Sequence, residues 1–257
     1  MSRSTIQQLV VTGLVVALVS GCVMFRGDCR FKQEIGAQTV DTMSADRVQL
    51  DVGAGTLRVE GMAGLTELTV FGEACSSRKD LLPDIAISVT LVDGTLHIES
   101  VFPDVPDESF GIDVVVKLPE GLHVTVNDGS GSMEVTGVAG AEIRDGSGSI
   151  ELRDISGDVT IHDGSGSVTV ERVTGDVWLR DGSGSIDIRN IGGSVNIEED
   201  GSGGIKIREV AGDVLVSVDG SGSIEVREVG GDFTVREGGS GRVHFSGIEG
   251  RVHLPDG

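Results

Sequence analysis

The five-residue sequence Asp-Gly-Ser-Gly-Ser recurs through the second half of the chain at a nearly constant spacing. Perfect copies begin at Asp128, Asp145, Asp163, Asp181 and Asp219, and altered copies begin at Asp200 (DGSGG) and Glu237 (EGGSG). Successive copies start 17, 18, 18, 19, 19 and 18 residues apart. Self-similarity at a short fixed period indicates a repeat architecture, in which each repeat is one small structural unit.

One repeat unit, residues 163–180, contains two short segments of alternating character. Val168 and Val170 alternate with threonine and glutamate in the first segment, and Val177 and Leu179 alternate with tryptophan and arginine in the second. Glycine-rich turns bound both segments, so each one predicts a short β-strand with an apolar face. A further apolar column lies between the two segments, at Val138, Ile155, Val173, Ile191, Val210, Val229 and Ile248.

A single unit cannot bury its few Val and Ile side chains alone, so the units must stack on one another. We therefore predict an all-β fold, a parallel β-helix or β-solenoid with coils of about 18 residues and two short strands per coil. An antiparallel meander and a propeller would use the same strands, because Asp-Gly is also a hairpin signal. The solenoid is favoured because the apolar columns match in residue type from unit to unit, as vertical stacking requires.

The N-terminal segment has the features of a bacterial lipoprotein signal. The apolar run from Leu9 to Val19 is too short to span a bilayer, and it leads into Val19-Ser20-Gly21-Cys22. This sequence resembles a lipobox, in which small residues precede a cysteine that is acylated and becomes the mature N-terminus. An ordinary secretory signal with an incidental cysteine is the alternative. We expect residues 1–21 to be a signal peptide and Cys22 to be the lipidation site.

The lipid anchor predicts the membrane as a partner and the cell envelope as the location. Several acyl chains on one residue give stable anchoring. Because Val23 rather than aspartate follows the cysteine, the outer membrane is the expected destination, on its periplasmic or its surface face. The rest of the chain divides into a lipidated tether over residues 22–45, an N-terminal β region or cap over residues 46–127, and the repeat solenoid over residues 128–257. We expect the strands to begin at Arg47, and no helix after the signal.

Charge limits the possible partners. The chain has 20 Lys and Arg against 41 Asp and Glu, a formal net charge of −21. Nucleic acid is therefore not an expected partner, because its phosphates would be repelled. No cofactor is expected either, since the GSGS sequence lacks the lysine and the following helix of a phosphate-binding loop.

Three cysteines are an odd number for an exported protein. If Cys22 carries lipid, Cys29 and Cys75 remain as a pair, and an oxidising compartment favours a disulfide between them. Two free thiols are the alternative.

The aspartates of the repeated turn are the strongest candidate for a functional site. Stacked coils would place them one above another, at Asp128, Asp145, Asp163, Asp181, Asp200 and Asp219. Neighbouring carboxylates about 5 Å apart repel each other. One interpretation is a ladder of bound cations; the other is relief by solvent, salt and hydrogen bonds from nearby backbone N–H groups. Calcium-binding solenoids place aspartate after a Gly-Gly-x-Gly step, whereas here it precedes the glycines, which favours the second interpretation. No metal site is therefore expected.

Several motifs together resemble a known bacterial family. They are the lipobox, the sequence GAGTLRVEG at residues 53–61, Cys75 after a strand, the LPEG turn at residues 118–121, and the tandem GSGSI and GDV units. The chain is similar to a family of candidate adhesins, which are β-strand-repeat proteins of the cell envelope with no established function. The resemblance implies a β-helix-like domain at the envelope, and it brings no catalytic residues with it.

We expect a non-enzymatic, lipid-anchored envelope protein that acts as a structural or interaction module, with an unknown protein or glycan as its partner. The alternatives are an envelope-stress sensor, a glycan-binding module and a polysaccharide-active enzyme. A β-helix enzyme builds its cleft from long loops, and no long insertion interrupts residues 145–236. Carbohydrate binding usually requires aromatic platforms, and only Trp178 is available on an outward column of these repeats.

Overall fold

The computed structural model describes residues 29–106 and 108–255. Within these residues the protein is all-β and forms a parallel β-solenoid of about 7 turns with ~19 residues per turn, which confirms the predicted fold class. The chain divides into two compact units between Gly131 and Ser132. Cys22 and the signal segment lie outside the described residues. No helix within the described ranges has the length and apolar character needed to cross a bilayer.

The first unit combines parallel and antiparallel strands. Its strands are β1 (Phe31–Asp41), β2 (Arg47–Asp51), β3 (Ala54–Met62), β4 (Glu67–Ser76), β5 (Ala86–Val92), β6 (Thr95–Val101), β7 (Phe110–Pro119) and β8 (His123–Asp128). One sheet has the order β1-β4-β7-β3 and the other has the order β8-β2-β6-β5. Strand β4 runs antiparallel to both of its neighbours, β1 and β7, and β5 runs antiparallel to β6. The pairs β3 with β7 and β2 with β6 and β8 are parallel.

Two elements of this unit differ from the sequence-based expectation. The strand β1 lies inside the stretch that was expected to be a tether, and it pairs along its length with β4. Only Val40 is buried among its residues, so the strand has no alternating apolar face that could be recognised from sequence. A six-residue 3₁₀ helix, Lys79–Asp84, also precedes β5 where no helix was expected, and it buries Leu81 and Leu82.

The second unit consists of stacked coils with two strands in each. The strands are β9 (Ser130–Thr136), β10 (Gly140–Asp145), β11 (Gly148–Ile155), β12 (Val159–Asp163), β13 (Gly166–Val173), β14 (Val177–Asp181), β15 (Gly184–Ile191), β16 (Val195–Asp200), β17 (Gly203–Val210), β18 (Val214–Val218), β19 (Ile224–Val229), β20 (Phe233–Glu237), β21 (Val243–Ile248) and β22 (Val252–His253). Odd-numbered strands from β9 form one sheet, and even-numbered strands from β10 form the other. Neighbours in each sheet are parallel.

The inward side chains stack in register, as the repeat predicts. Val168 lies opposite Ile186, and Val170 lies opposite Ile188, which is fully buried. Burying one such side chain contributes roughly 1.5–3 kcal/mol. Because side chains alternate along a strand, a slip of one residue would turn every apolar residue outward. The apolar columns therefore fix the register of the coils.

The second glycine of each Gly-Ser-Gly turn is required by close approach of two coils. Gly184 has a φ of 149°, a conformation that side-chain-bearing residues rarely adopt. A Cβ atom at this position would overlap the carbonyl oxygen of Gly166 in the preceding coil. The short stacking distance between coils thus requires glycine at this position of the turn.

Removing one whole unit should shorten the solenoid without unfolding it. A variant that lacks Asp163–Arg180 joins His162 to Asp181, and the register places Asp181 in the position of Asp163. The flanking coils can then restack, because each repeat contacts mainly its neighbours. We expect a β-type circular dichroism spectrum and a cooperative urea transition at a lower midpoint.

The matched control lacks half a unit, Asp163–Glu171. This deletion removes one of the two strands of a coil. Every strand after it would then lie in the position of the other sheet, so we expect the variant to be unfolded. A full-unit deletion that is as unfolded as the half-unit deletion would contradict the stacking model.

Candidate functional site

The repeated aspartates of the second unit end the even-numbered strands and point inward. In β12 the buried residues are Val159, Ile161 and Asp163, which alternate with outward residues and so share one face. Asp181 and Asp200 are each only 1% exposed. The carboxyl groups therefore lie at the edge of the apolar interior rather than in solvent. Asp128, in the first unit, is half-buried.

These buried aspartates form a continuous column. The strand register pairs Asp145 with Asp163, Asp163 with Asp181, and Asp181 with Asp200, and an isolated bridge pairs Asp200 with Asp219. Neighbours are thus separated by about one strand spacing, ~4.8 Å. Two ionised carboxylates at this distance repel by about 3 kcal/mol at an effective dielectric of about 20. We refer to these five residues as the aspartate column.

Backbone N–H groups satisfy one oxygen of several members of the aspartate column. The N–H of Ser165 donates to Asp163 Oδ1 at 3.2 Å, and the N–H of Ser183 donates to Asp181 Oδ1 at 3.1 Å. The Oδ2 atoms of these two residues, and both carboxyl oxygens of Asp200, are covered and have no hydrogen-bond partner among the described residues. Turn hydrogen bonding, one part of the sequence-based expectation, is present, and the members of the column are at most 8% exposed.

Burial and mutual repulsion favour the protonated form of these carboxyls. Burial, followed by the neighbouring Asp181 and Asp145, raises the pKa of Asp163 to about 6. Burial, followed by Asp181 and Asp219, raises the pKa of Asp200 to about 7. Burial also raises the pKa of Asp145, Asp181 and Asp219. The ionised forms of these carboxyls are therefore disfavoured, most strongly at Asp200, and the sites titrate as a coupled set.

The aspartate column lacks the geometry of a metal site. Among the described residues, no group of three or more His, Cys, Asp or Glu side chains is arranged to hold a metal ion. With one carboxyl per coil, a cation between two neighbouring coils would have few ligands, whereas calcium takes six to eight oxygen ligands. The raised pKa values of Asp163 and Asp200 mean that partial protonation relieves part of the repulsion between neighbouring carboxylates.

A second ladder of side chains joins the coils at the opposite corner. The Oδ1 of Asp158 accepts from the N–H of Asp176 at 2.9 Å, and the Oδ1 of Asp176 accepts from the N–H of Ser194 at 2.7 Å. The hydroxyl of Ser194 accepts the N–H of Asp213, and the ladder continues through the carboxylates of Asp213 and Asp232 to the N–H of Arg251. The repeated Gly-Asp step was its signal in the sequence, but the pattern alone did not reveal that the carboxylate bonds to the backbone of the next coil.

A column of left-handed residues lies one position before the end of the odd-numbered strands β11 to β19. Asp154, Arg172, Asn190, Glu209 and Glu228 have φ values of 56–59°, although none is glycine. The last three of them line an open groove of about 800 Å³ that crosses several coils and is also lined by residues 191–192, 210–211, 229–230 and 247–249. The first two line a second open groove. No sequence pattern predicted this conformation, because the residue types vary from coil to coil.

Ion pairs cover the outer face of the odd-numbered strands. Glu171 is nearly buried between Arg153 and Arg189, whose guanidinium nitrogens lie 3.5 Å and 2.7 Å from its Oε2. The hydrogen bond from Arg189 and the nearby charges of Arg172 and Arg153 lower the pKa of Glu171. Arg208 similarly contacts both carboxylate oxygens of Asp187, at 3.0 and 3.1 Å. The charges on this face are therefore largely satisfied within the protein.

The structure brings Cys29 and Cys75 together. Their Cα atoms are 5.5 Å apart, within the range that a disulfide spans. A bond between them would connect Cys29, two residues before β1, to the fully buried Cys75 of β4.

A family model described as Toastrack DUF4097 matches residues 87–250. The chain belongs to this family. The match covers most of the repeat region and part of the first unit, in agreement with the resemblance seen in the sequence. No curated protein matches this Toastrack DUF4097 chain.

Several crystal structures resemble this Toastrack DUF4097 protein in fold. A candidate cell adhesion protein from Clostridium sporogenes has 14% sequence identity and a TM-score of 0.41, and the match covers 88% of this chain and 99% of that one. A candidate adhesin from Bacteroides fragilis has 12% identity and a TM-score of 0.41, with 86% and 97% covered. A candidate lipid-binding protein from Parabacteroides distasonis has 12% identity and a TM-score of 0.42, with 87% and 96% covered. At this level of similarity, the names of these proteins assign no function to the Toastrack DUF4097 chain.

Neutralising the aspartate column should stabilise this Toastrack DUF4097 protein above neutral pH. A carboxyl whose pKa is higher in the folded than in the unfolded state contributes stability at low pH and loses it as pH rises through the folded pKa. For Asp200 this loss occurs between about pH 4 and about pH 7. We expect Asp200→Asn to raise the free energy of unfolding by on the order of 2 kcal/mol at pH 8, but not at pH 4.

Urea denaturation of both proteins from pH 4 to pH 8 measures this difference. Asp213→Asn is the matched control, because it removes one negative charge from the exposed ladder and an amide oxygen can still accept the N–H of Asp232. A difference between Asp200→Asn and the wild type that stays constant with pH would contradict the raised pKa of Asp200.

Proposed function

We propose that this protein is a lipid-anchored interaction module of the cell envelope, whose solenoid presents its outer faces to a partner in the manner of an adhesin. The observation that carries the proposal is the separation of roles within each coil. Inward residues such as Ile186 and Ile188 are buried and fix the stacking. Outward residues repeat at one strand spacing along the coils and take no part in the core, so they form long, regular surfaces.

The outer surface supports an interaction role more than a catalytic one. The grooves along the corner are open, and charged side chains such as Glu209 and Glu228 in one groove and Arg172 in the other line them. The aspartate column is at most 8% exposed, so it offers little carboxylate surface to a substrate. We propose that the protein is not an enzyme and that the aspartate column serves the stability of the solenoid.

Membrane attachment is proposed to depend on Cys22, from the sequence Val19-Ser20-Gly21-Cys22. Cys22→Ser removes the thiol that would carry the acyl chains, so we expect the variant to move from the membrane fraction to the soluble fraction. Fractionation and immunoblotting of cell envelopes measure the change. Cys29→Ser is the control, because it also replaces a cysteine in the same segment and should stay in the membrane fraction. Membrane retention of Cys22→Ser with unchanged processing would contradict the anchor.

We also propose that Cys29 and Cys75 form a disulfide in the exported protein, since the structure brings them within bonding distance. In the chain-entropy model a bridge across 46 residues contributes about 4 kcal/mol. Maleimide labelling in denaturant should therefore modify neither residue before reduction and both after it. Cys29→Ser should expose one reactive thiol at Cys75 without reduction. Full labelling of the unreduced wild type would exclude the bridge.

A further inference from the structure

The two outer faces of the second unit differ in chemistry. The face of the odd-numbered strands carries paired charges, such as Arg189 with Glu171 and Arg208 with Asp187. On the face of the even-numbered strands, one outward column has no charged residue over five successive coils. The register places its members opposite one another in the order Thr160, Trp178, Asn196, Leu215 and Thr234. We call these five residues the neutral column.

Trp178 is the most exposed member of the neutral column. Trp178 is 40% exposed, and it is the only tryptophan in the chain. Small polar residues, Thr160 and Asn196, flank it in the two neighbouring coils. The indole ring is therefore an aromatic surface bordered by hydroxyl and amide groups, which is the combination that sugar rings contact through their C–H and O–H groups.

Asn196 adds an unmet hydrogen-bonding group beside this ring. Its Oδ1 atom is covered and has no hydrogen-bond partner among the described residues. A covered acceptor without a donor is unfavourable, so a ligand hydroxyl that bonds to the amide after rotation of the side chain would be favoured. This observation is independent of the exposure of Trp178, because an amide oxygen without a partner loses no hydrogen bond when it turns outward to accept one from a ligand.

The surrounding charges favour an uncharged ligand. Next to the neutral column, Arg180 is paired with Glu199 at 2.5 Å and so is not a free cation. The net charge of −21 repels anionic polymers. A protein partner fits less well, because Asn196 separates Trp178 from Leu215 and the column offers no contiguous apolar patch.

We propose that the neutral column binds an uncharged, β-1,4-linked polysaccharide chain that lies across the strands, with one sugar ring on Trp178 and a hydroxyl group on Asn196. The rise of such a chain per sugar is slightly longer than the strand spacing of ~4.8 Å, so the sugars of a short segment can meet successive coils. This inference rests on the proposed function, because it names the class of partner that the outer face would hold. Binding requires no covalent step.

Tryptophan fluorescence of the full-length protein tests the proposal directly. The chain has one Trp and no Tyr, so its emission reports the environment of Trp178 alone. Cellohexaose and hexa-N-acetylchitohexaose are the probes, and the lipidated protein is kept in a detergent without a sugar headgroup. We expect a saturable blue shift with at least one probe. By calorimetry, Trp178→Ala should weaken the binding of that probe roughly tenfold or more, and Asn196→Ala should weaken it by a smaller factor.

Phe31→Ala is the matched control, because Phe31 is also an exposed aromatic residue, at 38%, but belongs to β1 of the first unit. It should bind the probe as the wild type does. Absence of saturable binding to both probes, or equal binding by Trp178→Ala, would overturn the inference. A blue shift that depends on protein concentration alone, together with dimers in sedimentation velocity, would also overturn it by assigning the column to a second copy. If Trp178→Ala still fractionates with the membrane, failure here leaves the Cys22 anchor unaffected.

Discussion

Every coil of the second unit lies one strand spacing above the previous coil. At the glycine corners this spacing leaves no room for a side chain. Hydrogen bonds between parallel strands fix the spacing along the sheets. At the corners the same spacing brings one backbone against the next, as between Gly184 and the carbonyl oxygen of Gly166. The repeated turn is therefore set by steric exclusion rather than by a ligand. Apolar side chains can vary between Val and Ile along a column, but a side chain at this glycine would force the coils apart.

The same spacing explains why the pKa values of the aspartates are raised. A residue that ends an inward-facing strand and precedes the turn is carried to the same depth in every coil. Its carboxyl can cap the turn by accepting an N–H two residues on, as Asp163 does, but it then meets an identical carboxyl above and below. The combination of turn capping and stacking raises the pKa values of these carboxyls and makes the stability of the column sensitive to pH. The favourable turn and the unfavourable charge are two results of one geometric repeat.

The sequence predicted the features that repeat and missed those that depend on partners distant in the chain. Periodicity was sufficient for the inward columns, the parallel stacking and the two strands per coil, because each is a local pattern copied many times. The strand β1 was missed because only Val40 is buried and its pairing comes from β4. The depth of the aspartate column was also missed, since Asp at a turn usually faces solvent. Likewise, the sequence contained the Gly-Asp step but not the bond from Asp158 to the next coil.

That bond gives the ladder a polarity. Each coil accepts the N–H of the coil that follows, so the ladder continues only while the following coil supplies both a donor and a new acceptor. At Arg251 the donor is present, but a guanidinium cannot accept a hydrogen bond, so the ladder of these corner bonds ends there. Copying a unit within residues 158–232 would preserve every bond of the ladder, so internal duplication can lengthen a solenoid of this design without interrupting it.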